Sequence, residues 1–515
     1  MAQQIQTFSI TAPGFYGLNT QDSSLDLASG FALTAINCVI DKYGRVGARK
    51  GWSALSSYNA TLGTNPIKSI GELVTTTAVS YTIVAGDGNL FLYSGGALTA
   101  LTYGGGGVAP TITDSNWQMI SLADHLYLFQ LGHNPLVFDP AVSTTQYRRL
   151  VEKAGSTGTP PDANVAISAY GRIWATDSAT NKTTIFWSDL LQGHKWGAGS
   201  SGSLNVDQVW PNGGDVITGL GAHNGFLFIF GKNNILVYSG ATNPATMTLS
   251  DTVTGIGCIA RDSIHNTGSD IIFLSDTGVR SVLRTVQEKS APFRDLSKNV
   301  RNDLMAGLSG ETLSNVKAVY SPLDSFYLIT LPSLGLVYCF DNKALLQDGS
   351  SRVTTWNGIA PKSFLYTSNK QLLIGKEGYL GEYSTYQDNG TSYRMSYYTN
   401  HTDLGAPSVS SALKKLSVVV IGGTNQYVTM KWGYDFKENY YSQSVNIPEQ
   451  SVSYYGIAEY NTSTTQYADG VTLQTLVAYP TGAGKVVQTG YEADINGSAL
   501  SIQKIEIQAK NGKIL

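Results

Sequence analysis

Three cysteines in 515 residues, Cys38, Cys258 and Cys339, are too few and too far apart for a disulfide framework or a metal-ligand pair. The expectation is buried, reduced thiols. Charge is scarce as well, at 14% of residues, and a formal net charge of −3 excludes a global basic field that recruits nucleic acid. No apolar run approaches the length that spans a bilayer. The opening Met1-Ala-Gln-Gln-Ile-Gln lacks the basic and apolar regions of a signal peptide. These absences point to a soluble part, made and kept in a reducing compartment, with no membrane-spanning segment.

Glycine (55) and tyrosine (30) are abundant, a profile that favours twisted strands and tight turns over long surface helices. The stretch His223-Asn-Gly-Phe-Leu-Phe-Ile-Phe-Gly-Lys-Asn-Asn-Ile-Leu-Val-Tyr-Ser-Gly240 is the clearest unit. Its two apolar runs, joined by a polar Gly/Asn turn, read as a hairpin. Six other stretches repeat it, so that turns centre near Asp87, His133, Thr180, Lys232, Thr277, Leu334 and Glu377. The centres lie roughly 43 to 57 residues apart, the period of a four-stranded propeller blade.

Weaker strands precede the hairpins over 67–74, 117–122, 165–169, 216–222 and 316–320, and read as strands buried between neighbouring blades. One small sheet cannot bury both faces alone, whereas sheets packed radially hide them. The expectation is an all-β chain, a β-propeller of six or seven blades with a C-terminal β-sandwich-like domain. A meander of β-sandwiches is the competing architecture, and the even spacing argues against it.

The domains follow from that rhythm. Residues 1–30, polar and Gly/Ser-rich, read as an extended arm with little core of its own. Residues 31–390 form the propeller, with blades from about 66 and a closing hairpin near 38–55. Within it, 31–37 reads as a short turn of helix. A second helix is expected over 297–308, with Ser297 as its N-cap. Residues 391–515 form the C-terminal β domain, with strands over 391–399, 413–421, 426–432, 471–478 and 502–509. The segments 284–312 and 435–455 read as mobile loops.

Lys42, Arg45, Arg49 and Lys50 make the densest basic cluster. It suits either contact with phosphate or an acidic neighbour, or a solvated strand edge where cations discourage pairing.

Asn37-Cys-Val-Ile-Asp-Lys-Tyr-Gly-Arg-Val46, ending in Arg49-Lys50-Gly51-Trp52, resembles the opening signature of virion proteins from short-tailed bacteriophages. The order of parts is similar too. An arm, that hairpin and blades including Ser275-Asp-Thr-Gly278 precede a β domain entered by Asp403-Leu-Gly-Ala-Pro407 with Leu413-Lys-Lys-Leu416. This order resembles the tail tubular protein B, or nozzle, family. The resemblance implies a structural virion protein, a homo-oligomer in a hexameric ring at the distal end of the tail, below the adaptor ring. It implies a channel for transient passage of double-stranded DNA without sequence-specific binding, and side surfaces that support tail fibres or spikes. The implied localisation is the virion tail, assembled in the host cytoplasm. The chain is short for that family, which implies reduced platform or fibre-docking insertions.

No catalytic constellation stands out, and the expectation is a non-enzyme with no cofactor, metal or catalytic residues. The histidines, at 125, 133, 194, 223, 265 and 401, show no metal-ligand spacing. Asp124 and His125 open a hairpin and suit a turn. Gly104-Gly-Gly-Gly107 lacks the Lys-Ser/Thr of a phosphate loop. Ser275-Asp276-Thr277-Gly278 resembles the turn of sialidase-type blades, but in one copy. Asp87-Gly88 and Asp388-Asn389-Gly390 read as ordinary turns and weak calcium candidates. Asp189 and Asp215, near Trp187 and Trp210, would make a glycosidase pair only at a defined separation across a cleft. Trp117, Trp174, Trp187, Trp196, Trp210 and Trp356 suit either a sugar groove or blade junctions. Tyr440-Tyr-Ser-Gln443 and Tyr454-Tyr-Gly456 read as loop residues suited to a contact with a neighbouring subunit. Two other functions are therefore weighed: a carbohydrate-binding, receptor-binding tail propeller, and a propeller hydrolase acting on polysaccharide.

Overall fold

The structure is a computed structural model that describes residues 5–113, 116–177, 180–282, 295–404, 409–437, 439–448 and 473–512. Seven small antiparallel sheets follow one another along the chain. Blade 1 consists of Ser69–Val74, Ser80–Gly86, Asn89–Ser94 and Ala97–Ala100. Blade 2 runs Gln118–Leu122, His125–Phe129, Leu136–Phe138 and Gln146–Arg149, with Thr102–Tyr103 added in parallel at its outer edge. Blade 3 is Val165–Ala169, Arg172–Thr176, Thr184–Trp187 and Gly202–Asn205. Blade 4 is Ile217–His223, Phe226–Gly231, Asn234–Ser239 and Thr248–Thr254.

Blade 5 has three strands among the described residues, His265–Asn266, Ile271–Ser275 and Gly278–Ser281. Blade 6 is Lys317–Ser321, Phe326–Leu331, Leu336–Asp341 and Arg352–Trp356. Blade 7 takes Ser363–Tyr366, Leu372–Gly375 and Leu380–Ser384 from late in the chain and Gly51–Ala54 from its start. The first strand of each blade contacts the first strand of the next, and that of blade 7 contacts that of blade 1. The protein is therefore all-β, with a closed seven-bladed propeller.

Burial explains why the hairpin strands are apolar on both faces. In Phe226–Gly231, Leu227 and Ile229 pack with Trp174 and Trp187 of blade 3. Their alternates Phe228 and Phe230 pack with Ile271 and Phe273 of blade 5. Each middle strand is sandwiched between two neighbours, so a period-2 alternation is lost. The same rule closes the ring, where Leu373 and Leu380 of blade 7 meet Val84 and Phe91 of blade 1. The first strands take part in these cores too, as Leu73, Val165, Ile217 and Leu220 do, and they also line the bore. At Asp87-Gly88 both residues have positive φ, +49° and +67°, which lets a two-residue turn match the twist of the strands it joins.

The second domain is a pair of sheets. One has the order Leu473–Ala478, Ser411–Gly422, Leu500–Asn511, and the far edge of its last strand carries Ile5–Thr11 and the hairpin Cys38–Ile40/Val46–Ala48. The other has the order Tyr441–Asn446, Tyr427–Tyr434, Val487–Ile495, Tyr393–Thr399, Phe31–Ile36. Through Gly17–Leu18 and Ile36 this second sheet runs on into Arg352–Trp356 of blade 6, making ten strands in all. A single apolar core joins Leu416, Val418 and Ile505 of one sheet to Met430 and Tyr491 of the other, and continues to Tyr327 and Phe340 of blade 6.

Several expectations change here. The stretch read as an arm is strand and loop of the second domain: Ile5–Thr11 pairs nearly the whole chain away with residues 504–510, and Gly17 pairs with Phe31 and Val353. The stretch read as a helical turn over 31–37 is the strand Phe31–Ile36, because Tyr393–Thr399 offers it a ladder. Within 38–55 Gly51–Ala54 closes the ring, while the Tyr43-Gly44 hairpin joins the second domain. The helix expected over 297–308 is present as Arg301–Ser309, preceded by a 3-10 turn, Lys298–Val300. Ser297 makes no capping bond; its hydroxyl bonds Asp295 and accepts from the Val279 amide. The described part of 435–455 contains the strand Tyr441–Asn446.

Candidate functional site

Every blade enters its first strand from the same face, so seven entry segments converge on one mouth. Lys68, Asn116, Asn164, Val216, Asp262, Lys317 and Lys362 mark them in chain order. Two adjoining hollows of about 360 and 320 Å³ open there and share Asn116 and Ser314. That size lies at the low end for small-molecule sites.

The floor of the mouth is a polar plug. Arg261 Nη1 donates to the backbone carbonyl and Oδ1 of Asn164, at 2.7 and 3.0 Å. Arg261 Nη2 donates to the carbonyl and Oδ1 of Asn116, at 3.3 and 3.1 Å. Its Nε pairs with Asp262 at 2.9 Å. Lys317 Nζ donates to both Asp262 and Asn116, and Asn116 Nδ2 donates to the Ser314 carbonyl at 3.0 Å. Blades 2, 3, 5 and 6 are thus tied across the axis. Burial raises the Asp262 pKa, but Arg261 and Lys317 outweigh it and hold the carboxyl far below the usual range. Below the plug, Ile70, Met119, His265 and Phe364 line the bore. Among the described residues, side chains from four blades thus meet inside the ring.

A second cluster joins the propeller to the other domain. Arg49 is fully buried. Its Nη1 and Nη2 clasp the two Asp388 oxygens at 2.8 and 2.7 Å, and its Nε donates to Asn37 Oδ1 at 2.9 Å. The remaining donors reach the carbonyls of Lys50 and Asn357, at 2.9 and 3.0 Å. The guanidinium lies 4.0 Å from the centroid of the Tyr393 ring, whose hydroxyl donates back to the Arg49 carbonyl. Of the readings open for the basic cluster, contact with an acidic neighbour holds for Arg49 through Asp388, while its burial was not legible among the cations around it. Its one local signal is the apolar Val46–Ala48 strand beside it. The other members do stay nearer the surface: Arg45 bonds Gln503 Oε1 at 2.6 Å and lies over Tyr43, and Lys50 lies near the Tyr383 ring.

The remaining sequence candidates have local roles. Asp124 receives the amide and hydroxyl of Thr76 in blade 1, both at 2.7 Å. His125 bonds Asp139, which Lys153 also grips at 2.9 Å. Asp189 caps Ser200 and Leu190 at the end of a third strand of blade 3, whereas Asp215 receives the Lys232 and Asn233 amides beside the first strand of blade 4. Third strands end on the face opposite to where first strands begin, so the two carboxylates do not face one another across a cleft. Asp388 is the Arg49 partner. Gly104 and Gly105 lie against the side chains of Gln146, Glu152 and Tyr103. Ser275 and Thr277 serve a hairpin turn, receiving Arg280 Nε at 3.2 Å each.

Trp117, Trp174, Trp187, Trp210 and Trp356 are buried between blades rather than along a groove, and Trp196 packs edge-on against Phe129. Tyr440 bonds Gln488 and Tyr441 is exposed on an edge strand. Tyr454-Tyr-Gly456 lies outside the described residues. The three cysteines are free and buried. Among the described residues no group of three or more His, Cys, Asp or Glu is placed to hold a metal ion. No helix is long and apolar enough to cross a membrane among the described residues.

Three histidines give the fold a pH dependence. Burial lowers the pKa of His194, to about 4, and also those of His265 and His401. The unfolded chain then binds protons more readily than the folded one between the ordinary histidine value, about 6.5, and the lowered one. Stability is therefore full above pH 6.5 and is lost as pH falls towards 4. Thermal melts across that window should show a falling Tm, and His194→Gln should flatten part of the fall.

No family model matches the sequence, and no curated protein matches it. Solved structures are similar in shape. The extracellular domain of BT4673, a one component system of B. thetaiotaomicron, aligns at TM-score 0.41 and 10% identity, over 66% of this chain and 40% of that one. YCF48 bound to D1 peptide aligns at 0.35 and 11%, over 65% of this chain and 95% of that one. Hsv2 of Kluyvelomyces marxianus aligns at 0.32 and 11%, over 65% and 92%. This chain thus spans less than half the length of the BT4673 domain.

Proposed function

We propose that the chain is a structural virion protein, a subunit of the nozzle ring of a short-tailed phage. The observation that carries this reading is the place of the segment that resembles the family. Residues 37–52 run from the second domain, through the buried Arg49, into the strand that closes the propeller. Its polar residues are spent on joining parts, which suits architecture rather than chemistry.

The side chains that meet inside the ring support a DNA path outside the single propeller. Arg261 reaches across the ring to Asn116 and Asn164, which supports a conduit between copies of the chain around a common centre, in a hexamer. Double-stranded DNA passes without sequence-specific contacts, in keeping with the small net charge of −3. Tail adaptor proteins and fibres or spikes are the proposed neighbours, and the chain performs no catalysis. Electron microscopy of the intact particle tests this. The expected result is a closed ring of this chain at the distal end of the tail. Finding it in the capsid shell or at the fibre tips would overturn the proposal.

A further inference from the structure

The first sheet of the second domain has two unprotected ends. At one end lies Leu473–Ala478, paired on its inner side to Ser411–Gly422. At the other lies Ile5–Thr11, paired on its inner side to Leu500–Asn511. Among the described residues no strand pairs with the outer side of either. Sheet edges are normally blunted by charge, proline or short length. Neither of these strands contains a charged residue or a proline, and they are seven and six residues long. Among the outer strands of the blades, the seven-residue Thr248–Thr254 carries Asp251, while the uncharged Ala97–Ala100 and Gly202–Asn205 are only four residues long.

Strand direction makes the two ends complementary. All neighbours in this sheet are antiparallel, in the order Leu473–Ala478, Ser411–Gly422, Leu500–Asn511, Ile5–Thr11. The first and fourth strands of such a series run in opposite directions. Placing one copy beside the next, edge to edge, continues the antiparallel pattern without reversal. We infer that Ile5–Thr11 of one copy adds as a strand to Leu473–Ala478 of the next, a head-to-tail joint between copies of this chain. The joint brings together two different edges, so it repeats from copy to copy, and it closes into a ring where the rotation per copy allows.

The receiving side is broadened by Tyr441–Asn446, the edge of the other sheet, which contacts Leu473–Ala478. Tyr479 N donates to Gln443 Oε1 at 3.1 Å there, and Tyr441 and Tyr479 are exposed. Exposed tyrosine over a hydrogen-bonding edge is the composition of an interface centre. The opposite side of this domain is already occupied by blade 6.

This inference rests on the ring reading and is tested apart from it. Thr7→Lys charges one edge and Thr475→Lys the other; both residues are exposed, so the core is untouched. In analytical ultracentrifugation over a concentration series, the unaltered chain should form closed oligomers. Each variant alone should associate at least about a hundredfold more weakly, since several backbone hydrogen bonds are lost. Mixed together, the variants still own one good edge each, and should form a one-to-one dimer that grows no further. Misfolding could not produce that recovery. Variants that assemble like the unaltered chain, or a mixture that stays monomeric, would overturn the joint while leaving the ring reading to microscopy. An unaltered chain that stays monomeric throughout also overturns it.

Discussion

Arg49→Met should cost about 3–5 kcal/mol of folding stability, read from denaturant midpoints, and should split one unfolding transition into two. The reason is position rather than charge alone. Removing the guanidinium leaves Asp388 without its partner and strips donors from Asn37 and from the carbonyls of Lys50 and Asn357. The face of Tyr393 loses its cation as well. These groups belong to the closing strand, the end of blade 6, the loop after blade 7 and the second domain. A domain of ordinary stability holds about 5–15 kcal/mol, so the loss takes a large fraction of it. Arg49→Lys should recover a minority of the loss, because an ammonium cannot make the two-point clasp. A single transition with an unchanged midpoint would refute the assignment.

The second large effect concerns the plug. Asp262→Asn should cost about 3–5 kcal/mol, because Arg261 and Lys317 are then buried together with no counter-charge. Restoring neutrality by adding Lys317→Met to Asp262→Asn should return much of that loss, since a lone Arg261 keeps its four bonds to Asn116 and Asn164. A double-mutant cycle in urea reads the coupling directly. The acid limb of the stability curve checks the same group. The Asp262 pKa is lowered by folding, so its contribution is present above about pH 4 and disappears as pH falls below that. Asp262→Asn should therefore lose less stability on acidification than the unaltered chain.

The propeller was legible because its units are local. Each hairpin pairs with itself within about fifteen residues, so turns such as Asp87-Gly88 and Lys232-Asn233 are visible in the primary structure. The spacing of seven turns then led to a ring. Strands whose partners lie far away were not legible. Ile5–Thr11 shows no apolar face strong enough to announce Leu500–Asn511 as its neighbour. Phe31–Ile36 is too short for a period of 2 to be told from 3.6. Tyr441–Asn446 and Val487–Ile495 hide their β character behind serine, glutamine, glycine and acids. The candidate site failed for a different reason. A sequence can show that Asp262 neighbours Arg261, but not that Asn116, Asn164 and Lys317 converge on them from three other blades.

One feature of the domain plan governs how the molecule is made. Ile5–Thr11 leaves the ribosome long before its partner, since the strand that completes its ladder begins at Leu500. At about 5–20 residues per second, synthesis of the intervening chain takes roughly 25–100 s. Through that interval the nascent N-terminal strands have no native partner, and their bare backbone can capture other unfinished chains. Polysomes crowded on one messenger bring those chains close together. Yield should therefore depend on chaperone supply and translation speed more steeply than final stability would suggest.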